Sequence, residues 1–593
     1  METKLSSRMI KTPIGGRVAV KNCRNTRHYG RLLGPVILLL VSSSVKDEVR
    51  AAPAGGAVSV SSTSPTVGSQ HLSAKGGAAL RAIVEDSRLL GLCPPEFADY
   101  RIEVEQFYAA TGNSLAWVKG SRPTQQAVAL IERFQAAENK GLRPEDYDGQ
   151  GSDERIASLE QIDPDATELK LINFDVALTV SAMRYVSDLH NERVNPRLFH
   201  FGLDIEKKKY DLSEFLRQRL VSASDVKAAL ETIEPPFAAY HRTLQALQKY
   251  LALARQTPGA LLVAPRRIVR PDETYSDVST LAQLLRSLGD LSPGPDVPVF
   301  ENIYQGALVD AVKHFQRRHG LEPDGCLDPH TLKELNTPLS RRVAQLQLTL
   351  ERWRWLPHEF EQPPLVVNIP EFRLRAGAIS TGVVVGRAYR HKTPVFASEM
   401  KQVIFRPYWN VPLSIQRAEL VPSIEKNRFY LAQKGYEILN AREHIVGAGV
   451  VTDEILRQLR SGKLSIRQKP GSNNALGLIK FSFPNPYNVY LHATPMTSLF
   501  SRARRDFSHG CVRVEDPVTL AAWVLRDKPE WTRDRIKAAM NGNNTIVVDL
   551  DKLIPVLILY GTAVVLEDGE VHFFDDIYGH DAALEQALAK CGS

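Results

Sequence analysis

Between positions 96 and 268 apolar residues recur at helical spacing. Ala127, Leu130, Ile131 and Phe134 form one such face, with Gly141 placed to stop the run. Leu171, Phe174, Leu178, Met183 and Val186 mark a longer helix between Thr167 and Leu189. This stretch predicts a helical scaffold domain with no catalytic signature. From 269 to 340 the punctuation is tighter. Val278, Leu281, Leu285 and Leu288 share a face that ends at Gly289, where a left-handed cap suits glycine. Leu308, Val312 and Phe315 make a second face ended by Gly320. After the Asp324-Gly325 turn, Asp328 is placed to cap a third short helix that begins at Pro329 and carries Leu332 and Leu335. A minimal three-helix bundle is predicted.

Beyond L-E-R-W-R-W-L-P (350–357), which closes a helix before Pro357, the pattern changes. Short β-branched runs bounded by Pro and Gly appear at 366–369, 381–385, 403–405, 489–491 and 546–548, and each predicts a strand. Between Ile415 and Leu464 the chain turns charged and helical again, which predicts a lid-like helical insertion inside a β-rich domain. That domain spans 341–593, with 551–593 as a C-terminal extension. The fold class expected is therefore α+β and multidomain.

At 593 residues the chain is too long for one hydrophobic core. Its formal net charge of +7 hints at a polyanionic partner, but residues 1–50 hold ten Lys/Arg against three Asp/Glu, which is the whole excess. The remainder is neutral, so nucleic acid is not indicated. The basic segment leads into the apolar stretch Leu32–Val45, interrupted by Gly34-Pro35 and short for a membrane span, and then into Ala51-Ala52-Pro53-Ala54. Residues 1–54 read as a secretory signal peptide or an uncleaved N-terminal anchor, so the bulk of the chain is expected outside the cytoplasmic membrane. Residues 55–95 open with small polar residues and are expected to be a flexible linker. Cys23, Cys93, Cys326, Cys511 and Cys591 are too few and too scattered for a disulfide framework.

Chemistry concentrates in F-S-H-G-C-V-R-V-E-D-P (507–517). A nucleophilic thiol needs a base, and His492, at the end of a predicted strand, is the nearest plausible one upstream of Cys511. Gly510 leaves room for successive backbone N–H groups to converge on an oxyanion. From these residues alone, buried packing of Cys511 and a zinc site of His492, His509 and Cys511 stay open, although the latter lacks the usual ligand spacing. His509 is most simply a residue of backbone geometry.

The run A-V-K-H-F-Q-R-R-H-G-L-E-P-D-G-C-L-D-P-H-T-L-K-E-L-N (311–336) resembles a peptidoglycan-binding domain, which implies wall docking or a spacer role. His492, followed after fifteen residues by S-H-G-C (508–511) and V-R, resembles the active-site signature of the L,D-transpeptidases. V-V-N-I-P, P-Y-W-N-V-P-L-S-I, R-Q-K-P-G-S-N-N-A-L-G-L-I-K-F and Y-L-H-A-T-P resemble the large periplasmic branch of that family. The resemblance departs at Arg513, where Asn is common, and at Ala493, where Gly is common. It implies Cys511 as nucleophile and His492 as base, oriented by the carbonyl of Ala493. The N–H groups of His509, Gly510 and Cys511 would form the oxyanion hole, with Ser508, Arg513, Tyr490, Trp409 and Asn410 orienting the site or contacting substrate. It further implies 3→3 cross-linking of peptidoglycan stems, a donor tetrapeptide passing to an acceptor stem through a thioester. Carbapenem-type β-lactams would inhibit, no metal or organic cofactor is required, and other wall-synthesis proteins are conceivable partners. The same site resolved by water, or a wall-binding scaffold without activity, are the competing readings.

Overall fold

The computed structural model describes residues 71–591 apart from 150, 152–153, 158–166, 204–209, 257–260, 293–301, 389–390 and 448–449. The signal or anchor expectation and the start of the linker fall outside these residues. The remainder of the expected linker is corrected: Ala74–Asp86 is a helix, capped by the Ser73 hydroxyl and burying Leu80 and Val84. The polar composition of 55–73 concealed the apolar i, i+4 pair that begins just after it. Among the described residues no helix is long and apolar enough to cross a membrane.

The chain divides into two compact units. The first holds residues up to 128 with 152–183 and 213–224. It includes a two-residue hairpin, β1 (Val118–Lys119) and β2 (Arg122–Pro123). Its centre is polar: the fully buried Asp175 carboxylate accepts the Tyr108 hydroxyl at 2.7 Å and the N–H groups of Ala116 and Trp117 at 2.9 and 2.7 Å. A buried carboxylate is tolerated only with donors of this kind.

The second unit contains the three-helix module and the β-rich region. Val278–Leu288, Ala307–Arg318 and Pro329–Leu335 are helices, the first ended by Gly289 at φ 86° and the third capped by Asp328 on the Thr331 N–H at 2.7 Å. Their apolar faces close around Leu281, Leu285, Val312 and Phe315. The module is fastened to a C-terminal hairpin, β15 (Ala563–Val565) with β16 (Val571–Phe573), by polar groups. Buried Arg318 pairs with Asp290 and donates to the Val571 carbonyl, and His314 bridges Asp290 at 2.7 Å and Glu570 at 3.0 Å. The same hairpin packs on the helices Ala238–Gln256 and Leu339–Arg354 through Tyr250, Leu346, Leu350 and Phe573.

Nine strands form the main sheet in the order β12 (Asp506–Ser508), β5 (Ile379–Gly386), β13 (Val512–Val514), β11 (Leu491–His492), β10 (Ile479–Ser482), β6 (Phe396–Phe405), β14 (Ile546–Leu559), β3 (Leu365–Asn368), β4 (Arg373–Ala376). β4 also pairs with β5, so the sheet closes on itself. Inward positions such as Val367, Leu374, Val403, Phe405, Phe481, Leu491 and Val512 fill one apolar core. The expected helical lid is corrected in kind. Besides helices it contributes strand β8 (Tyr436–Leu439), which pairs with β9 (Ser465–Gln468), itself paired with β7 (Trp409–Asn410). The insertion has its own core of Leu420, Ile424, Leu431, Ile438, Leu456, Leu459 and Ile466. Ile438 and Ile466, facing each other in register, are β-branched and suit a strand, but each sits in a run of four residues too short to show its period without the partner.

The Asp290 side chain is wholly buried between Arg318 and His314. Asp290→Ala leaves Arg318 buried without its counter-charge and should cost about 3 kcal/mol in the unfolding transition of this module, read by urea denaturation.

Candidate functional site

The local geometry follows from strand alternation. In β10, β11 and β13, Ile479, Phe481, Leu491, Val512 and Val514 point into the core. Their neighbours in sequence must point to the opposite face. β10 and β11 pair with Lys480 opposite His492, and β11 and β13 pair in parallel with His492 opposite Arg513. Tyr490 lies two positions before His492 and Cys511 two before Arg513, and the Val512 N–H donates to the Tyr490 carbonyl at 3.1 Å. Lys480, Tyr490, His492, Cys511 and Arg513 therefore share one face, although they span 34 positions of sequence.

His492 is buried. Its Nδ1 lies 2.5 Å from the Ala493 carbonyl oxygen, which can only accept, so the proton sits on Nδ1 and Nε2 keeps its lone pair. Burial pushes the His492 pKa down to about 3, aided by the nearby cations Arg513 and Lys480, while the carbonyls of Ala493 and Leu476 pull the other way. The imidazole is thus neutral across the physiological range. The Cys511 thiol is pushed up by burial, against hydrogen bonds from the Tyr490 backbone and hydroxyl and the charges of Lys480 and Arg513. At rest both groups are uncharged, and the Cys511 thiol donates to the Asn488 carbonyl at 3.7 Å. A thiolate forming there would raise the pKa of His492 again.

The turn 508–511 is held from several directions. Gly510 has φ 114°, a conformation that L side chains rarely adopt. The buried Ser508 hydroxyl donates to the Cys511 carbonyl at 2.6 Å and accepts the Gly510 N–H at 3.1 Å. This corrects one expectation: the Gly510 N–H is already engaged and is not a free oxyanion donor. The N–H groups of His509 and Cys511 carry no hydrogen bond among the described residues. On the other side, the fully buried Thr393 hydroxyl donates to the Gly510 carbonyl and accepts the Gly386 N–H, both at 2.8 Å. The Tyr578 hydroxyl then donates to the Gly386 carbonyl at 2.6 Å and accepts the Thr393 N–H at 3.2 Å. The C-terminal extension thus buttresses the turn that carries Cys511.

The insertion and the strand β7 that precedes it reach the site at one point each. The Trp409 indole hydrogen-bonds the Tyr490 hydroxyl, and Glu419 accepts from His509 Nε2 at 2.5 Å. His509 was expected to matter through its backbone; its side chain also ties the insertion to the catalytic turn. Asn410 lies on the exposed edge strand β7, opposite Arg467. Arg513 is partly buried, donates to the Met496 sulfur at 3.6 Å and leaves Nε without a partner. Among the described residues no group of His, Cys, Asp and Glu is arranged to hold a metal. His492 and His509 direct their ring nitrogens to Ala493 and Glu419 instead.

Sequence reasoning missed Lys480, Thr393, Tyr578 and Glu419. For Lys480 a signal existed, since a lysine between core residues Ile479 and Phe481 must emerge on the opposite face. For the other three no local pattern announces a partner ninety or more positions away.

Thr393→Val, nearly isosteric, strands the Gly386 N–H and the Gly510 carbonyl. It should lower stability by about 2 kcal/mol and slow Cys511 alkylation, with Thr393→Ser close to wild type. The pH dependence has a defined sign. The unfolded chain protonates His492 near 6.5 and the folded chain only near 3, so unfolding free energy is at its plateau above pH 6.5 and falls as pH drops through that window. Between pH 7 and 5, wild type should lose about 2 kcal/mol more than His492→Gln in urea titrations.

Three family models match the chain: "Scaffold domain" at 102–247, "Putative peptidoglycan binding domain" at 274–335, and "L,D-transpeptidase catalytic domain" at 364–562. A curated protein of Haemophilus influenzae named "Putative L,D-transpeptidase" is 32% identical over 253 residues, covering 42% of this chain and 50% of the relative. The chain thus spans half the length of that relative. Cys511, His492 and the turn between them lie inside the region 364–562 that matches the L,D-transpeptidase catalytic domain model, and 274–335 is similar to a peptidoglycan-binding domain.

Proposed function

We propose that the protein is an extracytoplasmic L,D-transpeptidase that forms 3→3 cross-links between peptidoglycan stems through a Cys511 thioester. The observation that carries this reading is the shared face of Cys511, Tyr490, His492 and Arg513, with His492 Nδ1–H committed to Ala493 so that Nε2 is left as a base.

Cys511 Sγ attacks the amide carbonyl between the third residue and the terminal D-Ala of a donor tetrapeptide stem, and its proton passes to His492 Nε2. The oxyanion is met by the N–H groups of His509 and Cys511, a pair of donors fixed by the Gly510 turn. As the C–N bond breaks, His492 returns the proton to the departing D-Ala amine, leaving a thioester. The side-chain amine of an acceptor stem then attacks that carbonyl. His492 takes its proton, the thioester breaks, and the thiol is restored. Two acyl transfers of similar difficulty replace one hard step.

Arg513 fits a carboxylate of the stem. It is partly buried, no carboxylate pairs with it among the described residues, and its free Nε completes a donor fork that matches carboxylate geometry. The insertion, linked to the site by Glu419, and β7, linked to it by Trp409, would keep water from the thioester so that an amine resolves it. The polar fastening of the peptidoglycan-binding domain favours a fixed spacer over a mobile tether. The substrate lies outside the cytoplasmic membrane, in keeping with the signal read at the N-terminus.

Incubation of the purified protein with disaccharide-tetrapeptide should give dimers and free D-Ala by mass spectrometry. Tripeptide monomers in place of dimers would mark a hydrolase. Cys511→Ala should abolish dimers, and a variant that retained them would remove Cys511 from the mechanism. A carbapenem-type β-lactam should add its mass to Cys511.

A further inference from the structure

The reactive face holds a cation that the reaction as written does not use. Lys480 stands opposite His492 in the β10–β11 ladder, and Nζ lies 4.1 Å from the centroid of the Tyr490 ring. The hydroxyl of that ring hydrogen-bonds Cys511, and the ring itself lies edge-on to His492 at 5.7 Å. Lys480 is half-buried, and among the described residues no Asp or Glu forms an ion pair with it. Leaving an ammonium partly desolvated and without a counter-ion is costly, and such groups persist where a charge is needed.

The charges that face the site come from every strand around it. β10 supplies Lys480, β11 supplies neutral His492 preceded by Tyr490, β13 supplies Arg513, and β5 runs on into Arg387 near Arg513. None of these strand groups is negative; the carboxylate brought to the turn is Glu419, which is held by His509 at 2.5 Å. The imidazole has no charge with which to hold a Cys511 thiolate, because burial and these same cations keep His492 neutral. The usual thiolate–imidazolium pair is therefore not the resting arrangement.

We propose that Lys480 is a positioning residue that stabilises the Cys511 thiolate electrostatically and fixes the Tyr490 ring, whose hydroxyl donates to the sulfur. The cation–π contact, Nζ 4.1 Å from the ring centroid, anchors the Tyr490 ring beside the sulfur. No bond is made or broken by Lys480. Its charge lowers the free energy of the anion formed when His492 takes the proton. The inference presupposes the cysteine chemistry proposed above and needs no wall substrate to test.

The rate of Cys511 alkylation by iodoacetamide is followed against pH on the full chain, with peptide mapping to separate Cys511 from Cys23, Cys93, Cys326 and Cys591. Lys480→Met should move the rise of the profile about one unit toward alkaline pH and slow alkylation about tenfold at pH 7. Lys480→Arg should stay within about threefold of wild type, since a charge over the ring is preserved. Should Lys480→Met fail to fold by circular dichroism, Lys480→Gln, which keeps a polar end, takes its place. Superimposable profiles for wild type and the uncharged variant would overturn the proposal, as would an arginine variant as slow as the methionine one. Absence of cross-linked dimers with an intact Lys480 effect on alkylation would instead count against the transpeptidase reading alone.

Discussion

The parallel pairing of β11 with β13 is the contact on which the reactive face depends. It places Leu491 beside Val512 and His492 beside Arg513, and both strands bury their alternate residues in the same core. Because side chains alternate with a period of two, sinking Leu491 and Val512 forces His492 and Arg513 outward together. A slip of one residue would put the imidazole into the apolar core and a leucine on the reactive face. The hydrophobic effect that builds the sheet is thus also what brings His492 and Arg513 onto one face beside the Cys511 turn.

Alignment alone leaves the thiol on a turn, and turns are soft unless their polar groups are satisfied. Here several of those groups have partners, some within the turn and some from elsewhere in the chain. Ser508 takes the Gly510 N–H and donates to the Cys511 carbonyl, Thr393 donates to the Gly510 carbonyl, and Tyr578 ties Thr393 to Gly386. The approach between strand and loop is so close that a Cβ at Gly386 would lie 1.9 Å from the His391 carbonyl oxygen. Close packing of backbone on backbone makes the turn rigid, and the C-terminal extension is part of that packing rather than an appendage.

Electrostatically the strand groups around the thiol carry one sign. A neutral imidazole, a neutral thiol and the cations Lys480 and Arg513 favour any negative charge that develops among them, whether thiolate, oxyanion or substrate carboxylate. The contacts of β7 and the insertion, Trp409 on Tyr490 and Glu419 on His509, sit on groups that touch or flank the sulfur. Movement of the insertion together with β7 would therefore be felt at the nucleophile through two side chains.

The sequence by itself determined which local elements form, because capping and periodicity are short-range physics. Gly289 ends its helix in a left-handed conformation and Asp328 caps the helix that Pro329 begins, as the punctuation foretold. The resemblance also pointed to the contact between His492 and the Ala493 carbonyl, which the structure contains. The helix at Ala74–Asp86 and the strand Tyr436–Leu439 were missed, since a short apolar pattern is ambiguous until its partner is known. Only the tertiary structure decided that Ser508 occupies the Gly510 N–H, that Thr393, Tyr578 and Glu419 support the catalytic turn, and that Lys480 faces the site. Each of these is a contact between groups set by how strands register and loops return, and no local pattern along the chain encodes the distance between them.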